Sequence, residues 1–467
     1  MTFSESLKPF FRPGSCAVIG ASRKKGKIGN TIFANMLRSF KGPVYPVNPN
    51  ARKILGKKTY SSVLDIPGKV DIVVIAVPAK IVPEVMRECA EKGVKGAVVI
   101  SSGFAETGNK ALEEEVSKIA RTTGPRVIGV NCLGILDTHS GIDMLFMPEE
   151  KIERPKKGDI AFISQSGAVG STVLDMIAEQ GVGISSFVSY GNATDVQDYE
   201  LAEYLAADPK TRVVCAYMEG TKNGKLFLEH MKKATRINPV IVLKAGKTSA
   251  GSKAAASHTA SMAGSDRVYD AAFKEAGIIR AGDLQELFDM ARVLSKQPLA
   301  KGNRVLVITN GGGFGVLSAD EVEEQNLELA ELSTKSKKKL LKILPAYANV
   351  SNPLDLVGDA DPARYRAALE VALEDDNVDA VLCIGLFQTV SINPKVMDHV
   401  LWFNKHKKKP IVFCAAGSEY TSKQLQKLEA KGVPTFTFPE QAVKALKAVV
   451  EYKKTNPAFD KLRGFKK

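Results

Sequence analysis

The chain has 467 residues, enough for about three domains at ~150 residues each. Its hydrophobic content of 44% and charged content of 25% are those of a folded globular protein, and no apolar run reaches the ~18 residues that a membrane-spanning helix needs. The net charge is +14, but much of it sits in short lysine runs at 335–339 and 405–409, and the one tryptophan leaves no basic patch interleaved with aromatic residues, so anionic small molecules are expected rather than nucleic acid. Residues 1–13 hold no signal-peptide apolar core, which gives the expectation of a cytoplasmic protein. The six cysteines are scattered without a CxxC pair, so they read as small buried hydrophobes and not as a disulfide frame or a metal site.

In chain order, strands are expected at 15–20, 43–47, 71–77, 95–101 and 126–130, with helices between them, for example over 80–92 and 109–123. Runs rich in Val and Ile, apolar at successive positions, are those of parallel strands buried on both faces. A polar linker at 148–158 follows, then strands at 159–164, 183–189, 212–219 and 239–245 and a helix at 266–276. A second linker at 296–303 leads to strands at 304–309, 378–386, 410–415 and 433–437, and the tail after Tyr452 looks frayed. The expected fold class is therefore α/β, with three doubly wound domains at 1–147, 158–296 and 303–455.

Four strand-to-helix turns and one loop carry chemistry. Gly20-Ala21-Ser22, followed by the basic insert Arg23-Lys24-Lys25-Gly26-Lys27, would present backbone N–H groups to a phosphate at a helix N-terminus. It lacks the GxGxxG spacing, and Asn48 stands where an acidic residue would bind a ribose hydroxyl. A nicotinamide dinucleotide is thus disfavoured, and a more phosphorylated nucleotide such as coenzyme A fits the basic insert. Ligands of such folds bind at the carboxyl ends of strands, where Pro78, Ser101-Ser102-Gly103 and Asn131 also fall.

Ser166-Gly167-Ala168 opens a helix after the strand at 159–164; the serine reads either as a plain cap or as an anion site. Glu219 ends the strand at 212–219, where a carboxylate could orient an imidazole; otherwise it is a surface glutamate. That imidazole would be His258, one of five histidines, set among the small residues of 246–264 on a loop suited to entering and leaving a crevice. Gly246-Lys247-Thr248 mimics a Walker A ending, but Ile241 occupies the position of its first glycine. Thr309–Gly315 is a further glycine-rich turn that either binds phosphate or allows close packing, and its chemistry does not choose. Asn192 and Asp195, after the strand at 183–189, are candidates for a substrate pocket.

Together, Gly20-Ala21-Ser22, Asn131-Cys132-Leu133-Gly134, Ser164-Gln165-Ser166-Gly167, Tyr217-Met218-Glu219 and Ser257-His258-Thr259-Ala260-Ser261-Met262-Ala263-Gly264 resemble the NDP-forming acyl-CoA synthetase superfamily, which includes succinyl-CoA synthetase, over essentially the whole chain. Thr309–Gly315 and Ser351-Asn352-Pro353-Leu354-Asp355-Leu356 are similar to its carboxyl-terminal ligase domain, in the arrangement of the α subunits of archaeal ADP-forming acetyl-CoA synthetases. The usual glycine after the loop threonine is Ala260 here.

The resemblance implies a Rossmann-like coenzyme A domain followed by two flavodoxin-like ligase domains. It implies phosphorylation of His258, held by Glu219, with phosphate bound at Ser166, Gly167 and Ala168. It places coenzyme A on Gly20, Ala21, Ser22, Lys27, Asn48, Pro78, Ser101, Ser102, Gly103 and Asn131, with no metal site on this chain. It implies a separate ATP-grasp β subunit carrying ADP or ATP with Mg2+, in an α2β2 assembly that interconverts a small carboxylic acid and its coenzyme A thioester. The readings from other classes are a Rossmann dehydrogenase and a non-catalytic coenzyme A-binding regulator.

Overall fold

In a computed structural model, residues 3–253, 265–457 and 459 are described. The chain forms two compact units, residues 1–281 and 282–467.

The first sheet of the first unit is fully parallel, in the order Val44–Val47, Cys16–Ile19, Ile72–Ile75, Gly96–Val99, Arg126–Gly129. Strand by strand in sequence that is 2-1-3-4-5, a doubly wound order whose direction reverses beside the first strand. Both faces are covered, as the apolar runs require. Cys16 and Val18 face one core with Phe33 and Met36, while Ala17 and Ile19 face another with Val85, Met86 and Val116. The helix Phe3–Phe11, which the sequence reading did not anticipate, buries Leu7, Phe10 and Phe11. A Cβ on Gly96 would stand 2.9 Å from the Phe10 ring, so glycine lets that helix lie on the strand.

The second sheet holds five parallel strands in the order Ile279–Arg280, Val240–Lys244, Val213–Met218, Lys157–Ser164, Ile184–Ser189. The same reversal occurs beside Lys157–Ser164. Two further strands, Gly134–Asp137 and Ile142–Asp143, extend this sheet. Gly134–Asp137 pairs antiparallel with Ile184–Ser189, although the sequence reading assigned it to the first domain. An open strand edge gains from pairing, and the chain leaving the first sheet supplies the partner. One core runs continuously from Val18 and Ile100 through Ile135 to Ile163 and Val214, which makes residues 1–281 one body.

The second unit has a sheet in the order Glu328–Leu329, Arg304–Thr309, Ala380–Ile384, Ile411–Cys414, Thr435–Phe436, with Leu354–Asp355 also paired to Arg304–Thr309. By compactness this unit starts at Gly282, ahead of the expected linker at 296–303. The helix Leu284–Lys296 lies in this unit, where Arg292 donates to the Thr435 carbonyl at 2.8 Å and Gln297 to the Gly432 carbonyl at 2.7 Å. Its apolar face, with Leu287, Met290 and Leu294, is buried. The last helix runs Pro439–Thr455, past the point at which fraying was expected.

Candidate functional site

Every residue assigned to coenzyme A follows a strand of the first sheet or opens the helix after its first strand. The two columns beside the reversal carry Gly20–Ser22 after Cys16–Ile19 and Pro78 after Ile72–Ile75. Gly20 is left-handed at φ 90°. A Cβ on Gly20 would stand 2.3 Å from the Ala76 carbonyl oxygen, and one on Gly29 would stand 2.0 Å from the Gly20 oxygen. Glycine at both positions therefore lets the turn, its helix and the third strand meet.

The helix Ile28–Ser39 starts after Lys27 with no side-chain cap. Asn30 and Asn48 clamp the turn, donating to the Ser22 and Ala21 carbonyls at 2.8 and 2.7 Å. Asn48 thus shapes the turn through its side chain. Ser101 donates to the Val77 carbonyl at 2.5 Å, and Asn131, at φ 53°, donates to Asn192 at 3.3 Å. Ser102 and Gly103 lie between them on the chain, and the Gly103 N–H is taken by Glu106 at 2.6 Å.

The reversal of the second sheet brings together Ser166, Tyr190 and Glu219, at the carboxyl ends of three neighbouring strands. Ser166 caps the helix Gly167–Glu179, its hydroxyl accepting the Val169 N–H at 3.3 Å, which is the cap of the two sequence readings. Gly167 and Ala168 form the first turn, and a Cβ on Gly170 would stand 2.6 Å from the Phe187 ring. Glu219 is buried, against the surface alternative.

Gln165, which the sequence reading passed over, joins the two loops. Its Oε1 accepts the N–H of Glu219 at 2.7 Å and that of Gly220 at 3.2 Å. The available signal was its place between Ser164 and Ser166. Lys244 was missed as well. It ends the strand Val240–Lys244 fully buried, with its ammonium 4.6 Å from the centre of the Tyr269 ring. Burial holds it below the usual lysine range, against the pull of Asp266.

Asp198 is the third omission. It opens the helix Asp198–Ala207, and burial pushes its carboxyl up to about 7.

A cavity of about 30 Å³ lies between these loops, lined by Gln165, Tyr190, Asn192, Asp198, Gly220 and Thr221 among others. Asn192 is one of its lining residues. Asp195 does not: its carboxylate is taken by the Arg126 side chain and the Val127 N–H, both at 2.8 Å. An acid next to a strand-end arginine becomes a structural pair instead of a pocket group.

His258 and its neighbours at 254–264 lie outside the described residues. The chain enters that segment from Val240–Lys244, next to the strand that precedes Glu219, and leaves it at Ser265 before the helix Asp266–Ala276. In the second unit, the turn at Thr309–Gly315 opens the helix Gly312–Glu324 with no side-chain cap. A Cβ on Gly311 would stand 2.2 Å from Leu386 and one on Gly315 3.2 Å from Pro353, which favours packing at those two positions; Gly313 meets nothing within 4 Å. Among the described residues no cluster of three or more His, Cys, Asp or Glu is arranged to hold a metal ion, and no helix is long and apolar enough to cross a membrane.

Three family models match the chain in succession: a CoA binding domain at 14–138, a succinyl-CoA ligase like flavodoxin domain at 157–294 and a ligase-CoA domain at 305–458. Subunit α of the ADP-forming acetate–CoA ligase II of Pyrococcus furiosus is 42% identical over 456 residues, covering 96% of this chain and 98% of the relative. The chain belongs to the NDP-forming acyl-CoA synthetase superfamily. An ADP-forming acetate–CoA ligase of Methanocaldococcus jannaschii is 44% identical over 96% of this chain, which spans 63% of that superfamily member. Among solved superfamily structures, the dinucleotide-forming acetyl-coenzyme A synthetase 1 of Candidatus Korarchaeum cryptofilum, in complex with phosphate and ADP, superposes with a TM-score of 0.91 at 36% identity, covering 98% of both chains.

Proposed function

We propose that this chain is the α subunit of an ADP-forming acyl-CoA synthetase of the acetate type, converting an acyl-CoA, ADP and phosphate into the acid, ATP and coenzyme A. The observation that carries the reading is the union of an anion-binding helix start at Ser166 with a buried Glu219, through Gln165, where the second sheet reverses. Coenzyme A binds across the first sheet's carboxyl edge, at Gly20 to Ser22, Lys27, Asn48, Pro78, Ser101 to Gly103 and Asn131. A phosphate oxygen, held at Ser166, Gly167 and Ala168, attacks the thioester carbonyl. The carbon–sulfur bond breaks, coenzyme A leaves as thiol, and an acyl phosphate remains. A ring nitrogen of His258 then attacks phosphorus, and the phosphorus–oxygen bond breaks to release the carboxylate.

Glu219 fixes the tautomer of that imidazole and offsets the positive ring that forms. Phosphohistidine passes its phosphoryl group to ADP, held with Mg2+ by an ATP-grasp β subunit in an α2β2 assembly. The subunit name of the Pyrococcus relative and the greater length of the Methanocaldococcus one support a second nucleotide-binding module. The buried cysteines, which form no disulfide among the described residues, suit a reducing cytoplasm.

The test is phosphorus labelling. The chain is mixed with a candidate ATP-grasp partner and labelled ATP, and the acid-labile, base-stable label is mapped by mass spectrometry. Label on His258, discharged by an acid plus coenzyme A, is the expected result. Glu219→Gln is expected to slow labelling by about 100-fold or more. Absence of label with a competent partner, despite intact coenzyme A binding, would favour the regulator instead.

A further inference from the structure

The loop at 190–194 follows the strand Ile184–Ser189 and is bonded to both sheets of the first unit. Towards the second sheet, the Tyr190 N–H reaches the carbonyl of Ser164, two residues before Ser166, at 3.0 Å. On the same side, the Ala193 carbonyl accepts the ammonium of Lys222, three residues after Glu219, at 2.9 Å. Towards the first sheet, the N–H groups of Asn192 and Thr194 reach the Val130 and Gly129 carbonyls at 3.0 and 2.8 Å. A Cβ on Gly191 would stand 2.3 Å from the carbonyl oxygens of Val130 and Asn131, so no side chain fits between the loop and that strand end.

The side chain of Asn192 extends this joint. Its Nδ2 donates to Glu106 at 2.7 Å and to Glu113 at 2.9 Å, and its Oδ1 accepts from Asn131 at 3.3 Å. All three partners follow strands of the first sheet. Glu106 in turn accepts the N–H groups of Gly103 and Phe104 at 2.6 and 3.1 Å, so the amide holds the segment that carries Ser101 to Gly103. Burial works against ionisation of Glu106, but the Gly103 N–H and the Asn192 amide outweigh it and hold its carboxyl below the usual range. An amide nitrogen has two protons to donate, and here each goes to a different carboxylate.

In the proposed reaction a thioester delivered from the first sheet meets phosphate held at the second. The rate then depends on how closely the two edges set the reacting atoms, and a misplacement of about 1 Å can cost about 100-fold. We propose that Asn192 is a positioning residue for the coenzyme A half of the reaction, setting the segment around Gly103 in register with the loop that borders Ser164 and Lys222. Both its amide protons are engaged by the protein, so it acts through Glu106, Glu113 and Asn131. The assignment rests on the synthetase reading above and deepens it.

The experiment uses two routes to the same phosphohistidine. Acetyl-CoA with labelled phosphate labels His258 through the coenzyme A half, whereas labelled ATP labels it through the nucleotide-binding partner. The chain with its partner is given each in turn, with acetyl-CoA saturating, and initial rates are compared for wild type, Asn192→Ala and Asn192→Asp. Aspartate keeps the shape of the amide but has no N–H to donate. The expected result is that both variants are labelled about 10- to 100-fold more slowly from acetyl-CoA and phosphate, and within about twofold of the wild-type rate from ATP. Glu106→Ala, which frees the Gly103 N–H, is expected to show the same split and decides the matter if the Asn192 variants do not fold. An equal loss on both routes would mean that Asn192 only supports the fold, and wild-type rates in Asn192→Asp would mean that its donors are idle. Either outcome sinks this inference alone. Wild-type label from ATP but none from acetyl-CoA overturns the acetate-type reading and this inference with it, and no label by either route sinks the synthetase reading as a whole.

Discussion

Gln165 and Glu219 are joined by a 2.7 Å hydrogen bond from the backbone nitrogen of the glutamate to the side-chain oxygen of the glutamine. The bond ties the loop that opens the helix Gly167–Glu179 to the loop that carries a buried carboxylate. Gln165 is itself anchored, because its own N–H reaches the Tyr217 carbonyl at 3.1 Å.

Gln165→Ala removes the acceptor for two backbone N–H groups and frees Glu219 to shift. The rate at which His258 acquires phosphoryl label is expected to fall ~10- to 100-fold, the usual effect of losing a group that orients a reactive one. Coenzyme A affinity, measured by calorimetry, stays near the wild-type value because the proposed coenzyme A site lies on the other sheet. Labelling at the wild-type rate would show that the tie is dispensable.

Gly29→Ala puts a methyl group 2.0 Å from the backbone oxygen of Gly20, so the turn and its helix must part. Coenzyme A binding is expected to weaken at least ~10-fold, and thermal stability to drop by more than the ~1 kcal/mol of an ordinary glycine replacement. Gly26→Ala is the contrast. Gly26 has φ 83° but meets nothing within 4 Å, so the change there brings only backbone strain of ~1 kcal/mol. Equal effects from the two substitutions would refute the steric account.

Asp198 makes stability depend on pH. Its folded-state carboxyl is pushed up to about 7, above its unfolded value, chiefly by burial, with Glu200 adding a like charge. The folded chain then holds a proton that the unfolded chain releases, so stability falls as pH rises from about 4 to about 7 and the loss is complete above that. Tyr190, Glu219 and Tyr269 face the same region, and Lys222 lies across the cavity. Asp198→Asn removes the cost, worth up to ~4 kcal/mol, and keeps an oxygen for Thr221. The variant's gain in melting temperature should be larger at pH 8 than at pH 5. An equal gain at both values would mean that Asp198 does not titrate in this range.

The parallel strands and the turns between them were legible because both are local. A run such as 71–77, apolar at successive positions, has no stable place except inside a two-sided sheet. A glycine-rich turn after such a strand offers bare N–H groups whatever lies around it. Hence the places of Gly20, Ser166 and Glu219 just after strands were legible in the sequence, along with the carboxyl-edge positions Pro78, Ser101 and Asn131.

What the rest of the molecule decided was pairing and solvation, which depend on remote chain. The strand Gly134–Asp137 joined the second sheet because an edge was open there, and Leu284–Lys296 went to the second unit because its apolar face found cover there. Asp195 and Asp198 stand three residues apart and are the same residue type, yet one is paired with Arg126 and the other is buried with one carboxyl oxygen that has no partner among the described residues. Nothing within a few residues of either separates them. The charge on a carboxylate is set by the water it loses and the cation it meets, and both are supplied by distant segments that only the folded chain brings near.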